Sequence, residues 1–291
     1  MAARQCNALV CGSGGLLGSA LLQQAARLDD IAAIGVTHAQ VDIADAAAVS
    51  GILDNVRPDV VVNAAAYTNV DGAQTAPAAA MRANATGPAV LAAETARRGL
   101  ALVQISTDHV FDGQAGRALE PEEPTGPVSV YGLTKLGGEQ AVLALSQRAW
   151  VVRTSGLFGA GGRNFVDAVA ARMRRGEPLR VVADQVCSRT YSVDLAAAIW
   201  ELVTEMPPWG IYHFCNEGGS SWYEFAQAVQ SAVGTKVPIE PVTSAVYGAP
   251  APRPAWSVLS VARWVGVGLR APRDETEALA AYVATWPPAT A

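Results

Sequence analysis

Through its first half the chain alternates short, almost unbroken apolar runs with longer stretches of helical periodicity. The runs at 8–11, 31–36, 60–63, 102–106 and 150–153 have the length of strands. They lack the polar alternation of a half-solvated sheet, so they read as parallel strands covered on both faces. Between them, 16–28, 46–56, 78–97 and 129–146 carry helical patterns, the last two alanine-rich or broken only by small residues. This rhythm predicts an α/β fold built on a doubly wound parallel sheet. After residue 154 it loosens into a glycine cluster at 159–162, a helix near 164–175, short strands near Val181 and Tyr212, and proline-rich segments at 207–208 and 250–254. We expect residues 1–154 to form the sheet-bearing domain and 155–291 a smaller α/β lobe, with a discontinuous boundary and some segments returning to the sheet. Trp200, Trp209 and Trp222 are expected to pack that second lobe.

The junction between the first strand and the first helix carries the sequence GSGGLLG, with Gly12, Gly15 and Gly18 in a G-x-x-G-x-x-G spacing. Free N–H groups at a helix start can hold a diphosphate, and absent Cβ atoms let the backbone turn sharply against it. Such a loop is also compatible with a mere tight turn. Two further segments favour a dinucleotide in a Rossmann arrangement: Asp42-Ile43, where an adenine pocket should lie, and Asn63-Ala64-Ala65-Ala66, whose small side chains leave the backbone open to a cofactor. Asp42 has an alternative reading as a cap of the helix beginning near Asp45. After the second strand come Thr37 and His38, where a carboxylate would hydrogen-bond the ribose 2′-OH of NAD. NADPH is therefore the expected cofactor, with NADH the alternative.

A second constellation lies downstream. Thr107 and Asp108 end the fourth apolar run, at the strand end where such sheets bind ligands. Tyr131 and Lys135 stand four residues apart on one helical face, so phenol and ammonium can address one pocket. A neighbouring cation is expected to lower the pKa of the phenol and fit it for proton transfer. A tyrosine and a lysine on the flank of an amphipathic helix give the same pattern without chemistry; the glycine loop upstream and Thr107 select the catalytic reading.

Composition removes other classes. A formal net charge of -5 leaves no basic excess for phosphate backbones, so no nucleic-acid partner is expected. The four cysteines show no C-x-x-C pairing and the three histidines are scattered, so no metal site is expected. Glycines interrupt the apolar N-terminal stretch as a signal peptide would not, and no later apolar run reaches membrane-span length. The expectation is a cytoplasmic protein with no membrane partner.

Together these segments resemble the dTDP-4-dehydrorhamnose reductase family of the extended short-chain dehydrogenases over nearly the full length. The matching stretches are CGSGGLLG, VDIAD, RPDVVVNAAAYTNVD, QISTDHVFDG, VYGLTKLGGE, VVRTSGLFG, NFV, DQVCSRTY, GIYHF and RPAWSVLS. The resemblance implies reduction of the 4-keto group of a dTDP-linked 6-deoxyhexose, with the diphosphate held mainly by the second lobe. It implies that Gly15, Leu16, Leu17, Asp42, Ile43, Ala64, Ala65 and Ala66 line the cofactor, that Tyr131 donates the proton, and that Lys135 binds the nicotinamide ribose. Thr107 and Asp108 would touch the sugar. Arg153, Arg189 and Arg253 are candidates to grip the diphosphate, the last two foremost because they fall in the second lobe. A homodimer is compatible with the resemblance.

Departures from the family pattern cluster where a sugar would be read. The family usually has tyrosine at the position of His109, tryptophan at Gly156, glycine and proline around Cys187 and Arg189, and asparagine at Trp256. Loss of the aromatic at 156 implies either a different or larger keto sugar, or a pocket refilled by Trp256 or His109. Two rival functions remain: a sugar-nucleotide epimerase or dehydratase, disfavoured by Asp108-His109 where dehydratases carry Asp-Glu, and a non-catalytic NADP-binding subunit like the regulatory subunit of methionine adenosyltransferase.

Overall fold

The computed structural model describes residues 5–287. Each of the five apolar runs is a strand: β1 (Cys6–Cys11), β2 (Ile31–Val36), β3 (Val60–Asn63), β4 (Ala101–Thr107) and β5 (Ala149–Thr154). A sixth strand, Gly210–His213, returns from the second half of the chain and pairs with β5, His213 lying opposite Arg153. The sheet order is Gly210–His213, β5, β4, β3, β1, β2, with all neighbours parallel. The order reverses between β1 and β3, and there the glycine loop leaves β1, at the crevice where such sheets hold ligands.

Both sheet faces are buried, which is why the strands lack alternation. Val10, Val62, Val103 and Val152 pack under α1 (Leu16–Ala25) and the Ser192–Glu205 helix; Leu9, Val61, Leu102 and Val151 pack under α2 (Ala46–Val56), the Gly87–Arg98 helix and the Val130–Leu145 helix. Trp200 and Trp209 differ from expectation. Trp200 is fully buried against α1, where its indole donates to the carbonyl of Leu21, and Trp209 packs on Trp150 at 4.0 Å between ring centroids. Both cover the sheet, because the helix carrying Trp200 runs back along α1. Trp222 alone packs the second lobe, against Phe165.

A separate core cluster, built from Phe158, Val166, Met173, Leu179, Phe225 and Leu279, lies wholly in the part of the chain expected to form the second lobe. The expected long helix at 78–97 is in fact three pieces, Pro77–Met81, a π-helical turn at Arg82–Thr86 and Gly87–Arg98. Such π turns place an extra residue in the helix and often mark functional positions. No described helix is long and apolar enough to cross a membrane.

Candidate active site

The glycine loop is closed by packing that only glycine permits. Gly12 has φ +79°, and a Cβ on Gly18 would lie 2.2 Å from the Gly12 carbonyl oxygen. These two residues bring α1 directly onto the end of β1. Gly15 is different: a Cβ there would meet only the Gly12 oxygen, at 3.4 Å. It is the N-cap of α1 and offers no side-chain cap, so the first-turn N–H groups keep the partial positive charge of a helix start. The side chain of Leu17 is buried in the sheet core, which leaves its backbone N–H as the part a ligand can use. From the other side, the second-lobe glycine turn comes close: a Cβ on Gly162 would touch Leu16 and one on Gly161 would touch Ser19. Ala64 donates to the Cys11 carbonyl and Ala65 to Asn63 Oδ1, so the Ala64-Ala65-Ala66 backbone lies beside the same loop. The cradle fits a dinucleotide diphosphate.

At the far end Asp42 is a turn residue rather than the helix cap. Its Oδ1 accepts from the Ala44 N–H, and Asp45 caps α2 through the N–H groups of Ala47 and Ala48. The Ala44 hydrogen bond, and then Arg82 at 2.8 Å, hold the Asp42 carboxyl below the usual carboxylate range. Arg82, from the π turn, was not visible as a site residue in the sequence. Ile43 is buried in the core on the α2 side of the sheet.

The proton-transfer group assembles at the ends of β4 and the Val130–Leu145 helix. Lys135 is buried and its Nζ donates to the Ile105 carbonyl at 2.6 Å. Burial pushes it down to about 8, against which the nearby Glu139 carboxylate raises it. Tyr131 is pushed up to about 12 by burial, while the Thr107 hydroxyl lowers it and the Asp108 charge raises it. This corrects the expectation of a lowered phenol: desolvation outweighs the hydrogen bond that favours the charged form. Thr107 Oγ1 donates to Asp108 Oδ1 at 3.0 Å and accepts from the His109 N–H at 3.2 Å. Asp108, expected to touch the sugar, is 4% exposed and its second oxygen accepts from Ser257 Oγ at 2.5 Å. The geometry makes it a support for Thr107. Buried and without a protein partner among the described residues are Ser106 Oγ, Ser155 Oγ and His109 Nδ1, at or just beyond the ends of β4 and β5.

The arginines divide. Arg153 is buried in a bidentate pair with Glu139, at 2.8 and 2.9 Å, and also donates to the Pro121 carbonyl. Arg189 is fully buried, donates to the carbonyls of Cys187, Ser188 and Ser220, and lies 4.1 Å from the Trp222 ring centroid. Neither offers its guanidinium to a diphosphate, which corrects the expectation for Arg189. Arg253 remains partly exposed but is paired with Asp71 of the Val70–Thr75 helix at 2.7 Å. Gly156 has φ +52°, and a Cβ on it would lie 2.6 Å from the Ser188 oxygen and 2.9 Å from Arg189 Cδ. A Cβ at 156 would thus meet the Ser188 carbonyl first and Arg189 next. Trp256 donates to the Arg117 carbonyl, while His109 packs edge-on against Tyr131 at 5.3 Å.

Sequence reasoning missed the residues that hold this arrangement. Asn84, in the π turn, accepts from the Tyr67 N–H and donates to the Tyr67 carbonyl and to Thr134, joining the loop after β3 to the Tyr131 helix. Glycines let that helix come close: a Cβ on Gly138 would lie 2.1 Å from the Asn84 oxygen, and one on Gly132 2.2 Å from the His109 oxygen. The signal was present as a helix bearing three glycines, each unfavourable by about 1 kcal/mol unless packing requires it.

Comparison with known proteins agrees with this geometry. The family model described as the RmlD substrate binding domain matches residues 6–286. A dTDP-4-dehydrorhamnose reductase of Mycobacterium tuberculosis is 43% identical over 98% of this chain and 94% of its own. A probable dTDP-4,6-dihydroxy-2-methyloxan-3-one 4-ketoreductase of Streptomyces antibioticus is 42% identical over 93% of this chain and 92% of its own. The crystal structure of a Bacillus anthracis dTDP-4-dehydrorhamnose reductase in complex with NADP superposes with a TM-score of 0.93 at 31% identity, covering 97% of this chain and all of the other. The chain belongs to the dTDP-4-dehydrorhamnose reductase family.

Proposed function

We propose that the protein reduces the 4-keto group of a dTDP-linked 4-keto-6-deoxyhexose, with NADPH as reductant. The observation that carries this reading is the convergence of a protonated phenol, a buried ammonium and the Thr107 hydroxyl at the carboxyl end of β4, the same end of the sheet as the uncapped start of α1. The dinucleotide supplies a hydride to the sugar carbonyl. Tyr131, which keeps its proton up to about 12, gives that proton to the oxygen as its charge develops. Lys135 holds a positive charge beside the site, and the phosphates fit the N–H groups of Leu16 and Leu17. NADPH is supported by the absence of a carboxylate at Thr37 and His38, and by the NADP bound to the Bacillus anthracis relative.

A panel of dTDP-4-keto-6-deoxyhexoses assayed with NADPH and NADH tests the reading. Consumption of NADPH with one of them supports it; dinucleotide binding without consumption across the panel replaces it with a binding subunit.

The rate should also respond to Lys135. Its ammonium is lost as pH rises through about 8, whereas the phenol stays protonated well beyond that. The kcat/KM for reduction is therefore expected to be level below pH 8 and to fall above it, since kcat/KM reports groups of the free enzyme. A profile level to pH 10 would remove Lys135 charge from the mechanism.

Gly15 separates binding from folding. Because its Cβ would meet only ordinary contacts, Gly15→Ala should leave the melting temperature within about 2 °C of the parent while weakening NADPH binding by about tenfold, through a methyl placed against the diphosphate. Unchanged affinity by calorimetric titration would put the diphosphate elsewhere.

A further inference from the structure

The second lobe reaches into the first through the segment 251–259. Asp71 accepts from the Ala251 N–H and from Arg253; Trp256 donates its N–H to the Gly113 carbonyl and its indole to the Arg117 carbonyl; the Leu119 N–H donates to the Val258 carbonyl. Within this strap Ser257 is 1% exposed, pairs in a short parallel ladder with Cys187, and donates to Asp108 Oδ2 at 2.5 Å. The other oxygen of the same carboxylate accepts from Thr107.

A threonine hydroxyl has one proton. At Thr107 that proton is directed to Asp108 and the oxygen accepts from the His109 N–H, which sets the hydroxyl beside the phenol of Tyr131. The Thr107 orientation thus depends on where the Asp108 carboxylate is held, and the group that holds it from the far side belongs to the other lobe. We propose that Ser257 is a positioning residue for the proton-transfer site: through Asp108 it fixes the Thr107 hydroxyl beside Tyr131, and so ties the catalytic geometry to the seating of the second-lobe strap. The proposal rests on the reductase reading for its kinetic consequence, but not for the Ser257–Asp108 contact itself.

Removal of the hydroxyl leaves a carboxylate oxygen buried without that donor, a situation that drives a side chain to find another partner. Small displacements at a reacting centre are costly in rate. Ser257→Ala is therefore expected to lower kcat by about tenfold to a hundredfold, counted per mole of bound NADPH, with the KM for NADPH within about twofold of the parent. Ser257→Thr, which keeps the hydroxyl, restores kcat to within about threefold. A wild-type kcat in Ser257→Ala, or a loss that threonine does not restore, overturns the proposal. Thermal melts test the contact independently of turnover. Ser257→Ala and Asp108→Asn should each lower Tm, and the double variant should fall no further than the worse single one, because residues acting as one unit are not additive. Additive shifts overturn the contact. Should the parent reduce no keto sugar, the reductase reading fails, and the melts still decide whether Ser257 and Asp108 act together.

Discussion

Tyr131→Phe is expected to bind NADPH as the parent does and to lose most of its turnover. The substitution removes one oxygen and keeps the ring, so the edge-on packing against His109 at 5.3 Å survives. Nothing in the glycine loop depends on the phenol. What is lost is the phenolic proton itself, while Thr107, which donates to Asp108, and Lys135, which keeps one N–H on the Ile105 carbonyl, stay in place. A positioned general acid contributes about a hundredfold to ten-thousandfold, or about 3–5 kcal/mol of barrier. Single-turnover rates should fall within that range while the NADPH dissociation constant stays within about threefold of the parent. A rate within tenfold of the parent would transfer the proton-donor role to another group; an equal loss of cofactor affinity would make the phenol a binding residue.

The sheet was legible because its strands are buried on both faces, and a run such as Val60–Asn63 has no other comfortable environment. The glycine loop and the Tyr131–Lys135 pair were legible because each is local, set by spacing within one helix or one turn. What was hidden depends on distant packing. The π turn that delivers Arg82 and Asn84 leaves no mark in periodicity, since one inserted residue changes the register by less than an alanine-rich helix reveals. The burial of Arg189 was equally hidden. An arginine in a lobe expected to hold a diphosphate reads as a ligand, but the fold packs Trp222, Phe225 and three carbonyls around it. The rise of Tyr131 to about 12 follows the same rule, because a neighbouring lysine is visible in sequence and the depth of the pocket is not.

The second large effect concerns stability and reaches the site through Lys135. Glu139 and Arg153 are each about 2% exposed and paired bidentately, with Arg153 also over the Phe111 ring at 5.0 Å and near His213 Nε2 at 3.4 Å. His213 is pushed down to about 3, first by burial and then by Arg153, and its Nδ1 lies 3.0 Å from the Leu119 carbonyl, so it stays neutral and Nε2 accepts from Arg153. Glu139→Leu would leave the guanidinium buried opposite a hydrocarbon, at a cost of about 3–5 kcal/mol. The double variant Glu139→Leu, Arg153→Met removes both charges and should cost less than the single one, about 1–3 kcal/mol for the bare Pro121 carbonyl and His213 Nε2. Urea unfolding of the three proteins measures this; a double variant less stable than Glu139→Leu would show that the pair stabilises the fold beyond cancelling its own charges. A kinetic consequence follows with a definite sign. Glu139 raises Lys135, so in either variant the lysine loses its proton at a lower pH than the parent value of about 8. The alkaline fall in kcat/KM should move to lower pH with it, linking an ion pair of the core to the charge held beside Tyr131.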